Sequence, residues 1–404
     1  MDKGPGHFLK QCAIAIVGFA IVVAIFNVLI DPYLLFNSPR EGGLNARKPA
    51  SDDQQYFIKA YEVLREKPRT LILGSSNVAL GFDAQSMVWP VEDRPVYNLG
   101  LANSTVLVAY RYLQHVTALQ DVRLVVLALG FREFLNSSHT SNGPEYESRL
   151  AVTRDGTRTP GLGHQQINDW LFATFSLDAS LDSIDTLSGN ISGGASDIID
   201  GSWDYRFYRH LTQELGSYPL MVLGDYDYSF KFHDARFDPR VMETVQDILR
   251  LCRKKGIDVI VVLDPSHADD LELLDREGQW EALEAWKRQL TTLASQFGEG
   301  NPHKIELWDF YGYDQYSTEP LSDSPVALQW FWTPSHYTHA LCDIMLRRIF
   351  TNDMSDYGAR LTPQSIETRL KQVENAQQQY RARQKQDASR IWTIYSLATT
   401  AQTH

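Results

Sequence analysis

The chain has 404 residues, enough for one large domain or two small ones with a substantial core. A formal net charge of −12, with no Lys/Arg stripe, argues against a nucleic-acid partner, while the acidity itself names no ligand. Three cysteines, Cys12, Cys252 and Cys342, are too few for a disulfide framework, and the last two fall in predicted helices as buried thiols.

From Cys12 to Ile30 the sequence is apolar apart from Gly18 and Asn27, a length that spans a bilayer as one helix. Lys3 and Lys10 precede this run and Asp31-Pro32 closes it, so the amino-terminal flank is expected in the cytoplasm and the remainder outside. Phe26-Asn-Val-Leu-Ile30 offers no small-residue cleavage site, and residues 1–30 read as an uncleaved signal anchor. Residues 31–68 read as a connector, rich in Pro, Gly and Asn to about Ala50, and a polar helix near Asp52–Glu66 that Lys67-Pro68 ends.

A strand–helix alternation occupies residues 69–355. Thr70–Leu73 is the first strand and Pro95–Leu99 the second. Ser104–Leu119 has the helical spacing of Val106, Tyr110, Leu113 and Thr117. Leu124–Leu129 is apolar throughout, as parallel strands covered on both faces are. The period is lost between about 136 and 236, an insertion on one loop. Its Trp203, Tyr205, Phe207, Tyr208, Tyr226 and Tyr228 offer either faces for sugar rings or packing onto the sheet.

The alternation resumes with helix Val241–Lys255, a Gly256 stop and strand Asp258–Leu263. A long helix over Ala268–Phe297, strand Ile305–Trp308 ending at Asp309, and helix His339–Phe350 follow. Residues 356–404 read as a polar helical tail. Five strands joined by helices predict an α/β protein, a three-layer α/β/α sandwich with a five-stranded parallel sheet of flavodoxin-like type, plus the one N-terminal transmembrane helix.

Ligands of such sheets bind outside the carboxyl ends of the strands. Leu71-Ile-Leu-Gly-Ser-Ser76 is a strand that stops at a Gly-Ser turn and becomes a helix, which sets a hydroxyl beside free backbone N–H groups. Ser76 is therefore either a nucleophile or a helix N-cap, and Asn77 is a candidate oxyanion or substrate contact. Asn103 either faces an oxyanion or caps the helix that begins at Ser104. Arg132, in Gly130-Phe-Arg-Glu133, either binds developing negative charge or pairs with a nearby carboxylate. In Asp264-Pro-Ser-His267, Ser266 and Asp269 resemble the start of a capping box, with His267 near the rim. His336, in Trp332-Thr-Pro-Ser-His-Tyr-Thr-His339, can reach Ser76 and exchange its proton. His336, His339 and Asp343 also read as a metal set, but no matching ligands recur at defined spacing, and no metal or cofactor is assigned.

These pieces, in this order, resemble the SGNH/GDSL hydrolase superfamily, and come closest to its membrane-anchored branch associated with O-acetylation of bacterial exopolysaccharides such as alginate. The resemblance rests on the anchor with Asp31-Pro-Tyr33, Thr70-Leu-Ile-Leu-Gly-Ser-Ser76, Tyr97-Asn-Leu-Gly100, Leu307-Trp-Asp-Phe310 and Ser335-His-Tyr337. It implies that Ser76 is the nucleophile, its N–H an oxyanion donor, and His336 the general base. Asn103 stands where the superfamily has a glycine, Arg132 where it has an asparagine oxyanion donor, and Thr333 or Pro334 where it has the acid. Asp309 is the substitute acid. The implied activity is an extracytoplasmic acyltransferase or esterase on O-acyl groups of a polysaccharide, anchored by a single pass in the bacterial inner membrane with its main domain periplasmic. A membrane-bound O-acyltransferase partner would hand over the donor. The alternative is a catalytically degenerate subunit for assembly or glycan binding in a polysaccharide-modification complex.

Overall fold

The computed structural model describes residues 5–51, 53–135, 144–192, 198–199, 202–203, 236–320, 328–351, 353 and 356–383. Tyr205, Phe207, Tyr208, Tyr226 and Tyr228 of the insertion lie outside these residues, as does the Trp203 side chain. In chain order the elements begin with α1 (Pro5–Ile30), α2 (Gln55–Glu66), β1 (Thr70–Gly74), α3 (Ser76–Gly81), β2 (Val96–Gly100), α4 (Val106–Thr117) and β3 (Leu124–Leu129). Helices α5 (Leu162–Phe175), α6 (Leu177–Ser192) and α7 (Pro239–Lys255) follow, then β4 (Asp258–Leu263), α8 (Ala268–Arg276), α9 (Trp280–Gly298) and β5 (Ile305–Asp309). The hairpin strands β6 (Phe331–Thr333) and β7 (His336–Tyr337), helix α10 (His339–Phe350), strand β8 (Ala359–Leu361) and helix α11 (Ile366–Arg383) complete the series.

Contacts divide the chain into two units, residues 1–65 with 143–199 and residues 66–142 with 200–404. In the first, α1 is long and apolar enough over Gly6–Ile30 to cross a membrane. It stops at Asp31, whose φ of 50° is left-handed and whose carboxylate accepts the N–H groups of Leu35, Phe36 and Ser38 at 2.8, 3.2 and 3.1 Å. That cluster of bonds turns the chain back, so that Tyr33 and Leu34 pack with Phe57 and Ile58 of α2, Ala173 of α5 and Ala179 of α6.

The second unit is an α/β body on a six-stranded mixed sheet of order β8-β5-β4-β3-β1-β2. Strands β1 to β5 are parallel, each at its expected place in the sequence. The expectation of five strands is corrected by β8, which pairs antiparallel with β5 (Ala359 opposite Asp309, Leu361 opposite Leu307). Three residues held by backbone pairing at an edge are too short to carry a period, so that stretch read as tail. The single helix expected over Ala268–Phe297 is two, because Gly278, at φ 71°, separates α8 from α9. Cys252 and Cys342 are buried free thiols.

The chain leaves β1 toward β2 and returns to β3 on the other side, so the strand order reverses between β1 and β3. A crevice forms outside the carboxyl ends at such a reversal. Ser76 follows β1 and Glu133 follows β3.

Candidate active site

The apolar residues of β1 are wholly buried, and the strand ends where α3 leans back over it. A Cβ on Gly74 would lie 2.3 Å from Val78 Cγ2 and 2.9 Å from the Ala128 carbonyl oxygen, and one on Gly100 only 2.4 Å from the Ala79 nitrogen. Glycine at both strand ends is what lets the first turn of α3 settle onto the sheet. The buried Asn98 amide fixes that turn, donating to the Val78 and Phe82 carbonyls at 2.8 and 2.9 Å while its oxygen accepts from the Gly100 N–H at 2.8 Å. Ser75 occupies the N-cap position, which leaves the Ser76 hydroxyl with no capping duty. The N–H groups of Ser76 and Asn77, at the first two helical positions, have no acceptor within the helix.

Ser76 Oγ lies 3.0 Å from His336 Nε2, across 260 positions of sequence, and both side chains are partly exposed. His336 sits on β7, and its neighbours anchor that hairpin from three sides. The Pro334 carbonyl accepts from the His267 N–H at 2.9 Å, the Tyr337 hydroxyl donates to Asp264 at 2.7 Å, and Thr338 caps α10. The Tyr337 ring lies against Gly81, where a Cβ would come within 2.1 Å of it.

On the far side of the imidazole, Nδ1 meets the hydroxyls of Thr333 at 2.8 Å and Ser335 at 3.1 Å. With the Nδ1 proton given to Thr333, Nε2 presents a lone pair to the Ser76 hydroxyl, the arrangement a general base requires. A hydroxyl can also donate to a bare Nδ1, so it orients the ring without dictating the tautomer, as a carboxylate would.

Asp309 is not the orienting acid. Its carboxylate is buried against Lys287 Nζ at 3.0 Å and Arg369 Nε at 3.1 Å, and it accepts the Tyr311 N–H at 3.1 Å. Burial pushes its pKa up, but the Lys287 and Arg369 charges outweigh that and hold it below the usual carboxylate range. Arg132 is likewise a structural ion pair, 2.9 Å from Asp270 and 3.2 Å from Glu277, and does not serve an oxyanion. Asn103 is exposed in a left-handed turn (φ 54°) after β2; Thr105, not Asn103, holds the N-cap position of α4. The Asn77 side-chain amide reaches to 3.9 Å from the Cβ position of Gly130 and favours the ionised form of Asp264, so the group Asn77 leaves at the helix start is its backbone N–H. His267 does the capping expected of Ser266, its Nδ1 accepting from the Asp269 N–H at 3.2 Å, and it is buried rather than at the rim. Asp343 accepts from the Ser86 hydroxyl at 2.5 Å, and among the described residues no three His, Cys, Asp or Glu side chains gather as a cation site.

Two carboxyls beneath the site carry roles the sequence reading did not assign. Asp264 is 1% exposed, and burial pushes it up to about 7 while the Tyr337 hydroxyl and the Asn77 amide pull the other way. Glu133 is partly exposed, yet dense packing around its carboxyl, with the Asp264 charge adding, pushes it up to about 8. Its carboxylate accepts from the Gly130 N–H at 3.4 Å, and the nearby Ser75 hydroxyl favours its ionised form. The available signal was position alone: Asp264 directly follows β4, and Glu133 lies four residues past the end of β3.

No family model matches the chain, and no curated protein matches it.

Proposed function

We propose that this protein is a serine-dependent acyltransferase or esterase of SGNH-like type, the sheet and its helices forming that family's three-layer sandwich. The observation that carries the reading is the 3.0 Å contact between Ser76 Oγ and His336 Nε2 at the carboxyl edge of the sheet. Ser76 attacks an acyl carbonyl and passes its proton to Nε2, and the N–H groups of Ser76 and Asn77 receive the oxyanion. His336 then protonates the leaving alcohol, which leaves an acyl-serine. A second hydroxyl, from a polysaccharide or from water, gives its proton to His336 as it attacks the acyl carbon, and collapse of that adduct restores Ser76. The site needs no cofactor for these steps. With α1 as a signal anchor, the α/β body works on the periplasmic side of the bacterial inner membrane, moving onto a polysaccharide the acyl groups that a membrane-bound O-acyltransferase hands over.

A fluorophosphonate probe and p-nitrophenyl acetate test the chemistry. Labelling and turnover are expected in the parent, with Ser76→Ala and His336→Ala each lowering kcat/KM on the order of a thousand-fold or more. A second reading, a fold that keeps the outline of the site for assembly or glycan binding, is favoured by the hydroxyls that stand where a carboxylate would meet Nδ1. It wins if the folded parent neither labels nor turns over and polymer acylation in cells survives Ser76→Ala.

A further inference from the structure

We propose that the α5–α6 hairpin is a membrane-interface element, bedded in the lipid leaflet that α1 leaves at Ile30. The inference rests on reading α1 as a membrane span and is independent of the serine chemistry.

Over its last three turns α1 is covered along one face. Ala20, Val23 and Ala24, Asn27 and Ile30, which fall on one helical face, are shielded, while Ile21, Val22, Ile25 and Leu29 stay exposed. The covering elements are α5 and α6, which pack directly on α1. Asn27, the one side chain of that apolar run able to hydrogen-bond, is fully buried, and its amide donates to the Thr174 carbonyl and to Ser180 Oγ, both at 3.1 Å. The corner between α5 and α6 therefore sits at the level of Asn27. Four residues of helix separate Asn27 from Asp31, about 6 Å along the axis. Helices that lie in a membrane interface bury their apolar face to about that depth, roughly 5–10 Å.

The hairpin carries the side chains this position demands. On α5, Ile167, Trp170, Leu171 and Phe175 recur at helical spacing and are each 52–55% exposed. On α6, Leu177, Leu181 and Ile184 repeat the pattern at 74, 51 and 53%. Large apolar residues lined up on two adjoining helices are costly against water and mark a contact surface. Because both helices lie against the span itself, the occupant is lipid, and Trp170 is the residue type that favours the headgroup level. Asp178, Asp182 and Asp185 form a separate stripe on α6, and Asp182 accepts from the Tyr33 hydroxyl at 2.6 Å. Neither helix contains Lys or Arg. Burial of apolar surface therefore drives the contact, and it does not depend on anionic headgroups.

The test uses the full chain carrying Cys12→Ser, alone in phosphatidylcholine nanodiscs, with one nitroxide introduced at Leu171→Cys or Leu181→Cys. Ile25→Cys reports on the span and Lys254→Cys on water. At Leu171→Cys and Leu181→Cys, accessibility to lipid-dissolved oxygen relative to an aqueous nickel chelate should exceed that of Lys254→Cys several-fold, and should hold when phosphatidylglycerol replaces part of the lipid. If both hairpin labels read as water while Ile25→Cys reads as lipid, the proposal fails and the anchor stands. Labels shielded from both reagents mean a protein occupant, a second copy of this chain, and also overturn it. If Ile25→Cys itself reads as water, the reading of α1 as a span has failed and the proposal goes with it.

Discussion

In the proposed mechanism, Thr333 sets how good a base His336 can be. Its hydroxyl, 2.8 Å from Nδ1, holds the ring in place but accepts or donates with equal ease. A carboxylate at this position would hold the proton on Nδ1 and stabilise the imidazolium that forms when Ser76 reacts; enforcing the wrong tautomer in a complete triad costs about 10⁴ in rate. Thr333→Asp is therefore expected to raise kcat toward p-nitrophenyl acetate about ten-fold or more, and Thr333→Val to lower it, with little change in KM. Equal rates in the two variants would show that Nδ1 does not matter. At this scale the sequence made Ser76 and His336 legible, because a strand that ends in Gly-Ser and a His-bearing loop before a last helix both belong at one sheet edge. Asp309 was misread for a physical reason. Nothing local announces that Lys287, 22 positions earlier, and Arg369, 60 positions later, converge on it.

Helix α3 has six residues, too few to hold together in isolation. Its geometry, and with it the aim of Ser76, is imposed by Gly74, Gly100 and the Asn98 amide. Gly100→Ala would push a methyl group into the Ala79 nitrogen and the Val78 side chain. Overpacking of this kind costs about 1–3 kcal/mol. The urea midpoint is expected to fall by a corresponding amount, and kcat to fall further than stability alone explains, because the turn that lifts is the one carrying Ser76, the proposed nucleophile. An unchanged kcat in folded Gly100→Ala would separate the glycine from the site. Element by element, β1, β3 and β4 were readable because double-sided burial writes them as nearly unbroken apolar runs. The break at Gly278 was not, since apolar spacing continues on both sides of it and only the left-handed backbone interrupts the helix.

For the molecule as a whole, the carboxyls under the site link stability to pH. Glu133 and Asp264 hold their protons more tightly folded than unfolded, with folded values of about 8 and about 7. Their contribution is complete at low pH, below the unfolded carboxylate range, and is lost as pH rises through 7 and 8. Lys59, pushed down to about 7 by burial, works in the opposite sense, so the difference between variant and parent is the quantity to follow. Glu133→Gln should gain stability relative to the parent as pH goes from 6 to 9, measured as the shift in urea midpoint; a constant difference would place the Glu133 proton elsewhere. The antiparallel strand β8 and the Arg369 of α11 have a practical consequence for anyone trimming the chain to a soluble fragment. A cut after Tyr357 removes both at once, leaving bare the outer ladder of β5 and taking one of two cations from Asp309. Such a fragment should stick to itself as its concentration rises, visible by light scattering, whereas one carried through Arg383 should not.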